Sequence, residues 1–331
     1  MSSPVVCVVG PGRMGVGLAQ TLAFSGCAVD LVDVKERSVA ESDAALEVAL
    51  RRIADGIAQF VSIGFVAGDG SSELARIALR NVDEADEALA RCDVIFEAVP
   101  ETIEAKAMAY SRIGASTCPI GSTTSTFGVD ELARLVREPT RFMNTHWLNP
   151  APVMPLVEVM PGAATSNDCV VAMEAFLRNL GKVPIRCAAS AGYIVPRIQA
   201  LAMNEAARLV EEGIADPEAI DTACRLGFGV RFATMGLLEF TDWGGADILL
   251  RASDYLEGAL ESDRYAAATI VRDKVEAGEI GLKSGRGFYD YDSVNDGKYQ
   301  RAKLAELVAL LEHLGLRSHA GAGSGTEAGC E

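Results

Sequence analysis

A histidine that could act as a base stands out because the chain has only three histidines, His146, His313 and His319. Imidazole is the side chain best suited to taking a proton near neutral pH, as the oxidation of an alcohol requires. Only His146 follows an apolar, strand-like segment, at 141–145. His313 lies in the polar–apolar pattern of a late helix, and His319 lies in a glycine-rich segment. We therefore predict that His146 is a general base.

An acidic residue twelve positions later, Glu158, lies in the apolar segment LVEV at 156–159. A carboxylate in such a segment is costly unless it has a partner. Paired with an imidazole, it would fix the orientation of the ring and favour its protonated form. Two other interpretations remain open from the residues alone. His146 could be a hydrogen-bonded core residue, and Glu158 could be a surface position on an edge strand.

A glycine-rich turn at 10–15, with the sequence GPGRMG, is typical of a dinucleotide site. Gly10 permits a tight turn, Gly12 allows the backbone to approach a pyrophosphate, and Gly15 brings a helix close to the sheet. Arg13 and Met14 open that helix, whose N-terminus attracts phosphate. A glycine turn without a ligand is the alternative, and FAD proteins share the pattern, although nothing else here indicates a flavin.

An acidic residue, Asp33, follows the second predicted strand, 23 positions after Gly10. Its carboxylate could accept both hydroxyls of the NAD ribose and would repel the 2′-phosphate of NADP. Lys35 and Arg37 lie nearby in the sequence and could soften that preference. The pattern predicts NAD as the cofactor.

The elements that must position these residues alternate between buried strands and amphipathic helices. This alternation predicts an α/β protein with a Rossmann-type, doubly wound sheet, followed by an all-helical domain. Predicted strands lie at 5–9, 28–32, 93–99 and 119–122. Predicted helices lie from the glycine turn to 25 and at 36–62, 101–114, 193–213 and 216–226, with helix or turn at 71–90. The predicted parts are a nucleotide-binding domain at 1–190, a helical dimerisation and substrate domain at 191–317, and a disordered tail at 318–331.

The composition is that of an ordinary globular protein, with 331 residues, 49% hydrophobic and 23% charged. A net charge of −16 argues against nucleic acid as a partner, because binding phosphates requires clustered Lys and Arg. Eight dispersed cysteines without a CxxC pair indicate reduced thiols and no metal site. The apolar segments are too short to span a bilayer, and 1–4 carry no basic residue, so we expect no membrane segment, no signal peptide and a cytoplasmic location.

Four segments of the chain resemble signature segments of the L-3-hydroxyacyl-CoA dehydrogenases, a family that is related to L-gulonate 3-dehydrogenase, λ-crystallin and carnitine dehydrogenase. Together they cover about 4–292. They are EAVPE at 97–101 with Lys106, GSTTST at 121–126, THWLNPAPVM at 145–154 followed by LVEV, and GLKSGRGFYDY at 281–291.

This resemblance implies roles for further residues. His146 would be the base and Glu158 its orienting carboxylate. Ser125 would hydrogen-bond the substrate oxygen, while Asn149 and Lys106 would place nicotinamide and substrate. Val99 and Glu101 would line the nicotinamide side of the cofactor site. The resemblance also implies a homodimer formed through the helical domain.

The chain departs from the family pattern at Pro196, where the family usually has an asparagine that contacts substrate. Gln199, one helical turn further on, is a candidate replacement, and proline fits here only if a helix begins near it. MGLLEF at 235–240 replaces a common Gly-Pro, and a helix at about 299–314 lies beyond the usual end. Segment 36–80, where relatives that use CoA offer lysines to phosphate, contains only arginines as basic residues.

The first functional hypothesis is NAD-dependent oxidation of a short L-3-hydroxyacyl-CoA, such as 3-hydroxybutyryl-CoA, to the 3-ketoacyl-CoA in fatty-acid β-oxidation. The alternative is the same chemistry on a hydroxy acid without CoA, of the gulonate, carnitine or ring-carboxylate type. A third hypothesis is an NAD-binding relative without turnover. In each case the partner is a small molecule.

Overall fold

The computed structural model describes residues 3–113, 116–291 and 297–316. The chain divides into two compact units, Met1–Met203 and Asn204–Glu331. The predicted tail at 318–331, with His319, lies outside the described residues. No helix among those described is long and apolar enough to cross a membrane.

The first unit is built on one eight-stranded sheet with the order β3-β2-β1-β4-β5-β6-β7-β8. Neighbouring strands are parallel except for β6 and β7, which are antiparallel. Crossover from one half of the sheet to the other at β1 and β4 confirms the predicted Rossmann-type architecture. The strands are β1 Val5–Val9, β2 Ala28–Val32, β3 Ile77–Arg80, β4 Val94–Glu97, β5 Ile120–Ser122, β6 Phe142–Trp147, β7 Leu156–Pro161 and β8 Val183–Arg186.

Helices pack on both faces of this sheet, which explains why the central strand β1 is apolar at every position. In β1, Val6 and Val8 face one hydrophobic core, while Cys7 and Val9 face the other. The helices of this part of the chain are α1 Arg13–Phe24, α2 Val39–Ser62, α3 Ser71–Leu74, α4 Ala85–Arg91, α5 Ile103–Ile113, α6 Val129–Ala133, α7 Asn167–Asn179 and the beginning of α8 Val195–Glu211.

The prediction of helix or turn throughout 71–90 is wrong for the edge strand β3. Ile77 is the only buried residue of β3, and the strand has four residues, so it carries too little alternation to be recognised. Its pairing with β2 stabilises the strand instead, through the parallel register of Val29 with Ile77.

The second unit is helical, as predicted, and contains the rest of α8. A π-helical turn, Cys224–Gly229, follows α9, and the predicted late helix is confirmed as α14. The remaining helices are α9 Pro217–Ala223, α10 Val230–Thr234, α11 Leu237–Gly244, α12 Ala246–Ala259, α13 Thr269–Glu276 and α14 Lys298–His313.

A buried carboxylate, Asp242 of α11, organises the GLKSGRGFYDY segment. Its oxygens accept hydrogen bonds from the backbone amides of Phe288 and Tyr289, both at 2.9 Å. A Cβ atom at Gly287 would lie 2.2 Å from an Asp242 oxygen, so only glycine allows this approach. The backbone of this terminal segment therefore binds the carboxylate of Asp242.

The seven cysteines in the described part of the chain are free thiols, and five of them are buried. Burial raises the pKa of the Cys169 thiol to about 11, which keeps it protonated at neutral pH.

Candidate active site

The antiparallel register of β6 and β7 places His146 directly opposite Glu158. Directly opposed residues project from the same face of a sheet, so the two side chains meet. Nδ1 of His146 lies 2.7 Å from Oε2 of Glu158. Glu158 is 0% exposed and His146 is 8% exposed, which excludes the interpretation of Glu158 as a surface residue.

The second oxygen of Glu158 is held by the N-terminus of α8. Its Oε1 accepts hydrogen bonds from the backbone amides of Ile194 at 2.7 Å and Val195 at 3.0 Å. Charge-assisted bonds and the positive end of a helix both favour an ionised carboxylate. A carboxylate can only accept, so we assign the hydrogen of this bond to Nδ1 of His146, which leaves a lone pair on Nε2.

A tyrosine that the sequence interpretation missed, Tyr193, lies flat against the imidazole. The two ring centroids are 4.8 Å apart with an angle of 18° between the planes. The Tyr193 hydroxyl donates a 2.8 Å hydrogen bond to the carbonyl of Thr124, and its burial raises the pKa of that hydroxyl. Tyr193 therefore fixes the ring plane of His146. Its only sequence signal is its place just before the first turn of a helix.

The loop after β5 presents Ser125, whose position is set by Glu101. Oε1 of Glu101 accepts 3.1 Å hydrogen bonds from the backbone amides of Ser125 and Thr126, and another from the Thr124 hydroxyl. Burial raises the pKa of Glu101, but the bonds from Thr124 and Lys106 outweigh it, and the net pKa is lowered. Ser125 is exposed.

Beneath this loop lies a buried polar network around Glu97, which was also missed. Lys106 is 1% exposed, and its Nζ lies 3.1 Å from both Glu97 oxygens and 3.2 Å from Glu101. Tyr110 and Ser122 donate to Glu97 as well, at 2.7 and 2.6 Å. Lys106 therefore supports Glu101 from below.

A cavity of about 990 Å³ lies over the carboxyl ends of β1, β2 and β4, a size suited to a cofactor. Most of the predicted cofactor residues line it, whereas Gly15, Lys106 and Asn149 do not. The predicted residues in the lining are Gly10, Gly12, Arg13, Met14, Asp33, Val99, Glu101 and Ser125.

The glycine turn fits a dinucleotide. Gly10 has φ +109°, and a Cβ there would lie 2.7 Å from the carbonyl of Ala98. A Cβ at Gly15 would lie 1.9 Å from the carbonyl of Gly10, so this glycine permits close packing of α1 on the turn. At Gly12 the nearest atom would be 3.9 Å away, and no described side chain caps α1. The open N-terminus of α1 therefore faces space in which a pyrophosphate would be held.

Two family models cover most of the chain. The NAD-binding domain of 3-hydroxyacyl-CoA dehydrogenase matches residues 5–190, and the C-terminal domain matches residues 192–291. The chain belongs to the 3-hydroxyacyl-CoA dehydrogenase family. It is therefore an NAD-dependent oxidoreductase.

Similar proteins include both CoA and non-CoA enzymes. The 3-hydroxybutyryl-CoA dehydrogenase of Bradyrhizobium diazoefficiens is 34% identical over 86% of this chain and 94% of its own length. The 5-formyl-3-hydroxy-2-methylpyridine 4-carboxylate 5-dehydrogenase of Mesorhizobium japonicum is 30% identical over 92% of this chain and 96% of its own. A 3-hydroxyacyl-CoA dehydrogenase structure from Archaeoglobus fulgidus has a TM-score of 0.75, 30% identity, and coverage of 95% of this chain and all of that one.

The loop after His146 is held by a lysine that sequence interpretation did not single out. Nζ of Lys182 donates to the carbonyls of Ala151, Pro152 and Met154 at 2.7, 3.3 and 2.8 Å. Burial lowers the pKa of this lysine. Asn149, at the start of the same loop, is exposed. Lys182 therefore fixes the path of the family's THWLNPAPVM segment.

At the main departure from the family pattern, Pro196 is the second residue of α8. This position needs no backbone donor within the helix, which confirms that a helix begins beside the proline. Gln199 is exposed one turn further on. The two amides that precede this proline, those of Ile194 and Val195, are the ones that hold Glu158.

Proposed function

We propose that this member of the family oxidises the 3-hydroxyl of a short L-3-hydroxyacyl-CoA to the 3-ketoacyl-CoA, with NAD⁺ as the acceptor. The observation that supports it best is the buried pair of His146 and Glu158, with the imidazole Nε2 left free to take a proton. The 3-hydroxybutyryl-CoA dehydrogenase among the relatives supports the substrate class.

In this proposal His146 takes the hydroxyl proton through Nε2. Bound NAD⁺ supplies the acceptor for the hydride that leaves the substrate carbon. Glu158 stabilises the imidazolium that forms, by charge and by its bond to Nδ1. Ser125 donates to the substrate oxygen, and Asn149 orients the substrate.

The cofactor would be held by residues of the cavity and its surroundings. Gly10, Gly12, Arg13, Met14 and Gly15 form the pyrophosphate turn. Val99, Glu101, Ser125 and Asn149 lie on the nicotinamide side, and Lys106 acts through Glu101. Asp33 lies at the ribose end.

A panel of substrates tests the proposal. NADH formation would be followed by absorbance with S- and R-3-hydroxyacyl-CoAs of short, medium and long chains, alongside free gulonate, carnitine and hydroxypyridine carboxylates. We expect turnover with the short S-acyl-CoAs. Activity with free acids and none with acyl-CoA would contradict the substrate class, and tight NADH binding without any turnover would indicate a non-catalytic relative.

The non-CoA alternative has a specific observation in its favour. Of the arginines of segment 36–80, Arg37 pairs with Asp33, Arg80 pairs with Asp30, and Arg76 donates to a backbone carbonyl. Arg37 and Arg52 line the dinucleotide cavity, so Arg51 is the one arginine of this segment that is neither paired among the described residues nor at the cofactor, which leaves few cations for the phosphates of coenzyme A. The pyridine-carboxylate enzyme among the relatives supports this alternative too.

We also propose that the protein is a homodimer. Helix α8 has no buried residue, and Leu201 and Met203 are 74% and 70% exposed. Exposed apolar side chains at this density are typical of an interface. Light scattering during gel filtration would test this, and a monomer at micromolar concentration would contradict it.

A further inference from the structure

We propose that the dinucleotide site accepts NADP(H) as well as NAD(H), with Lys35, Arg37 and Arg52 forming a subsite for the 2′-phosphate. The proposal rests on the cofactor site of the proposed function and does not depend on the substrate. An NAD site normally uses the carboxylate at the position of Asp33 to bind the ribose and to repel this phosphate. The hydrogen-bond partners of Asp33 therefore decide whether the repulsion operates here.

The carboxylate of Asp33 is already occupied by protein donors. Nη2 of Arg37 donates to Oδ1 at 2.9 Å, and Nε of Arg37 lies 2.7 Å from Oδ2. The hydroxyl of Ser42 donates to Oδ2 at 2.7 Å, and the amide of Lys35 donates to Oδ1 at 3.2 Å. Asp33 is 2% exposed, whereas the Arg37 side chain is 22% exposed.

Both side chains line the cavity, and the guanidinium is the more exposed of the two. A carboxylate repels a phosphate less strongly when its charge is compensated, and here the hydrogen bond from Nη2 and the closeness of the guanidinium of Arg37 compensate it. A guanidinium has five N–H donors, so Arg37 can stay on Asp33 and still donate to a phosphate oxygen.

Two further cations line the same cavity. Lys35 follows β2 in the same loop as Arg37. Arg52 lies on α2, one and two turns beyond Val48 and Ala45, and these three residues line the cavity from one face of the helix. Among the described residues, neither the Lys35 ammonium nor the Arg52 guanidinium has an ion-pair partner.

The acids of the cavity lining do not cancel this cluster. Asp33 is paired with Arg37, and Glu101 is paired with Lys106. Glu104 is the remaining acid of the lining, on α5. An excess of cations at one end of one cavity, in a chain of net charge −16, is a local field that favours an added phosphate dianion.

Binding of the coenzymes alone tests the proposal. Titrations of NADH and NADPH fluorescence, without substrate, should give dissociation constants within about tenfold of each other. Adenosine 2′,5′-bisphosphate should displace NADH at least as well as ADP does. A dissociation constant for NADPH more than about tenfold weaker than that for NADH would overturn the proposal.

Variants identify the subsite. Arg37→Ala should weaken NADPH binding by about tenfold or more, the usual effect of losing a charge-assisted hydrogen bond, with a smaller effect on NADH. Because this change leaves Asp33 buried without its cation, the exposed Lys35→Ala and Arg52→Ala provide tests that do not threaten folding. Arg51→Ala is the matched control, since Arg51 adjoins Arg52 but does not line the cavity.

An unchanged NADPH affinity in the folded Lys35→Ala and Arg52→Ala proteins would also overturn the assignment. Because no substrate is present, failure to oxidise acyl-CoA leaves this result unaffected. Conversely, loss of the phosphate subsite would leave the proposed substrate class standing.

Discussion

Two buried carboxylates of the same sheet, Glu158 and Asp33, are held in different ways. Glu158 accepts from an imidazole and from two backbone amides of α8. Asp33 accepts mainly from the side chains of Arg37 and Ser42, and Arg37 is partly exposed. Backbone donors cannot change rotamer, whereas an arginine can. The reaction end of the site is therefore fixed, and the ribose end is adjustable.

Lys182 extends this contrast. It holds three carbonyls of the loop after His146, so the backbone on the reaction side is tied to a buried cation. At the ribose end, Lys35 and Arg52 make no such ties among the described residues. Rigid support suits a group that must meet a reacting proton within a few tenths of an ångström.

The largest effect is expected at His146 itself. Replacing the base in His146→Gln should lower kcat by about 10²- to 10⁴-fold, because proton removal loses its acceptor. NADH binding, measured by fluorescence, should stay unchanged. His313→Gln, at the exposed end of α14, is the matched control, and a near-normal kcat in His146→Gln would contradict the assignment.

The next effect separates the two carboxylates. Glu158→Gln keeps the shape and an oxygen for the α8 amides but loses the charge that stabilises an imidazolium, so kcat should fall by about 10²-fold. Asp33→Asn should act mainly on the KM for NAD⁺. Steady-state kinetics of both variants measure these effects, and a Glu158→Gln protein in which only KM changed would contradict the different roles of the two acids.

Lys182→Met should lower the free energy of unfolding by about 2–4 kcal/mol, because three carbonyls lose their common donor in a buried place. Urea denaturation, monitored by fluorescence, measures the free energy of unfolding of each variant. Lys283→Met, which replaces an exposed lysine, serves as the control. Equal stability of the two variants would show that the loop does not depend on Lys182.

The smallest effect concerns pH. The pKa of Glu101 is lowered in the folded protein, so its ionised form contributes stability that is present above the ordinary pKa of about 4.3. That contribution is lost as the pH falls through the lower, folded value. Melting temperatures of Glu101→Gln should therefore depend less on pH in the acid range than those of the wild type. Glu104→Gln controls for the loss of one acid, and parallel curves for wild type and Glu101→Gln would contradict the prediction.

Local patterns were enough to predict the parts of the fold that depend on nearby residues. The apolar β1, the glycine turn and the acid after β2 each follow from steric and periodic rules over a few residues. The edge strand β3 was missed because its pairing with β2, and not its own pattern, makes it a strand. Tyr193 and Lys182 were missed because their partners lie far away in the sequence.

The sequence by itself determined the chemistry available to this protein, with one well-placed histidine, an acid in an apolar segment and a dinucleotide turn. Only the tertiary structure decided how those groups are used. The register of β6 and β7 places His146 beside Glu158, and the first amides of α8 bind the second oxygen of that acid. Arg37 forms an ion pair with Asp33. A residue type determines what a side chain can donate or accept, whereas tertiary packing determines which partner lies within hydrogen-bond distance of it.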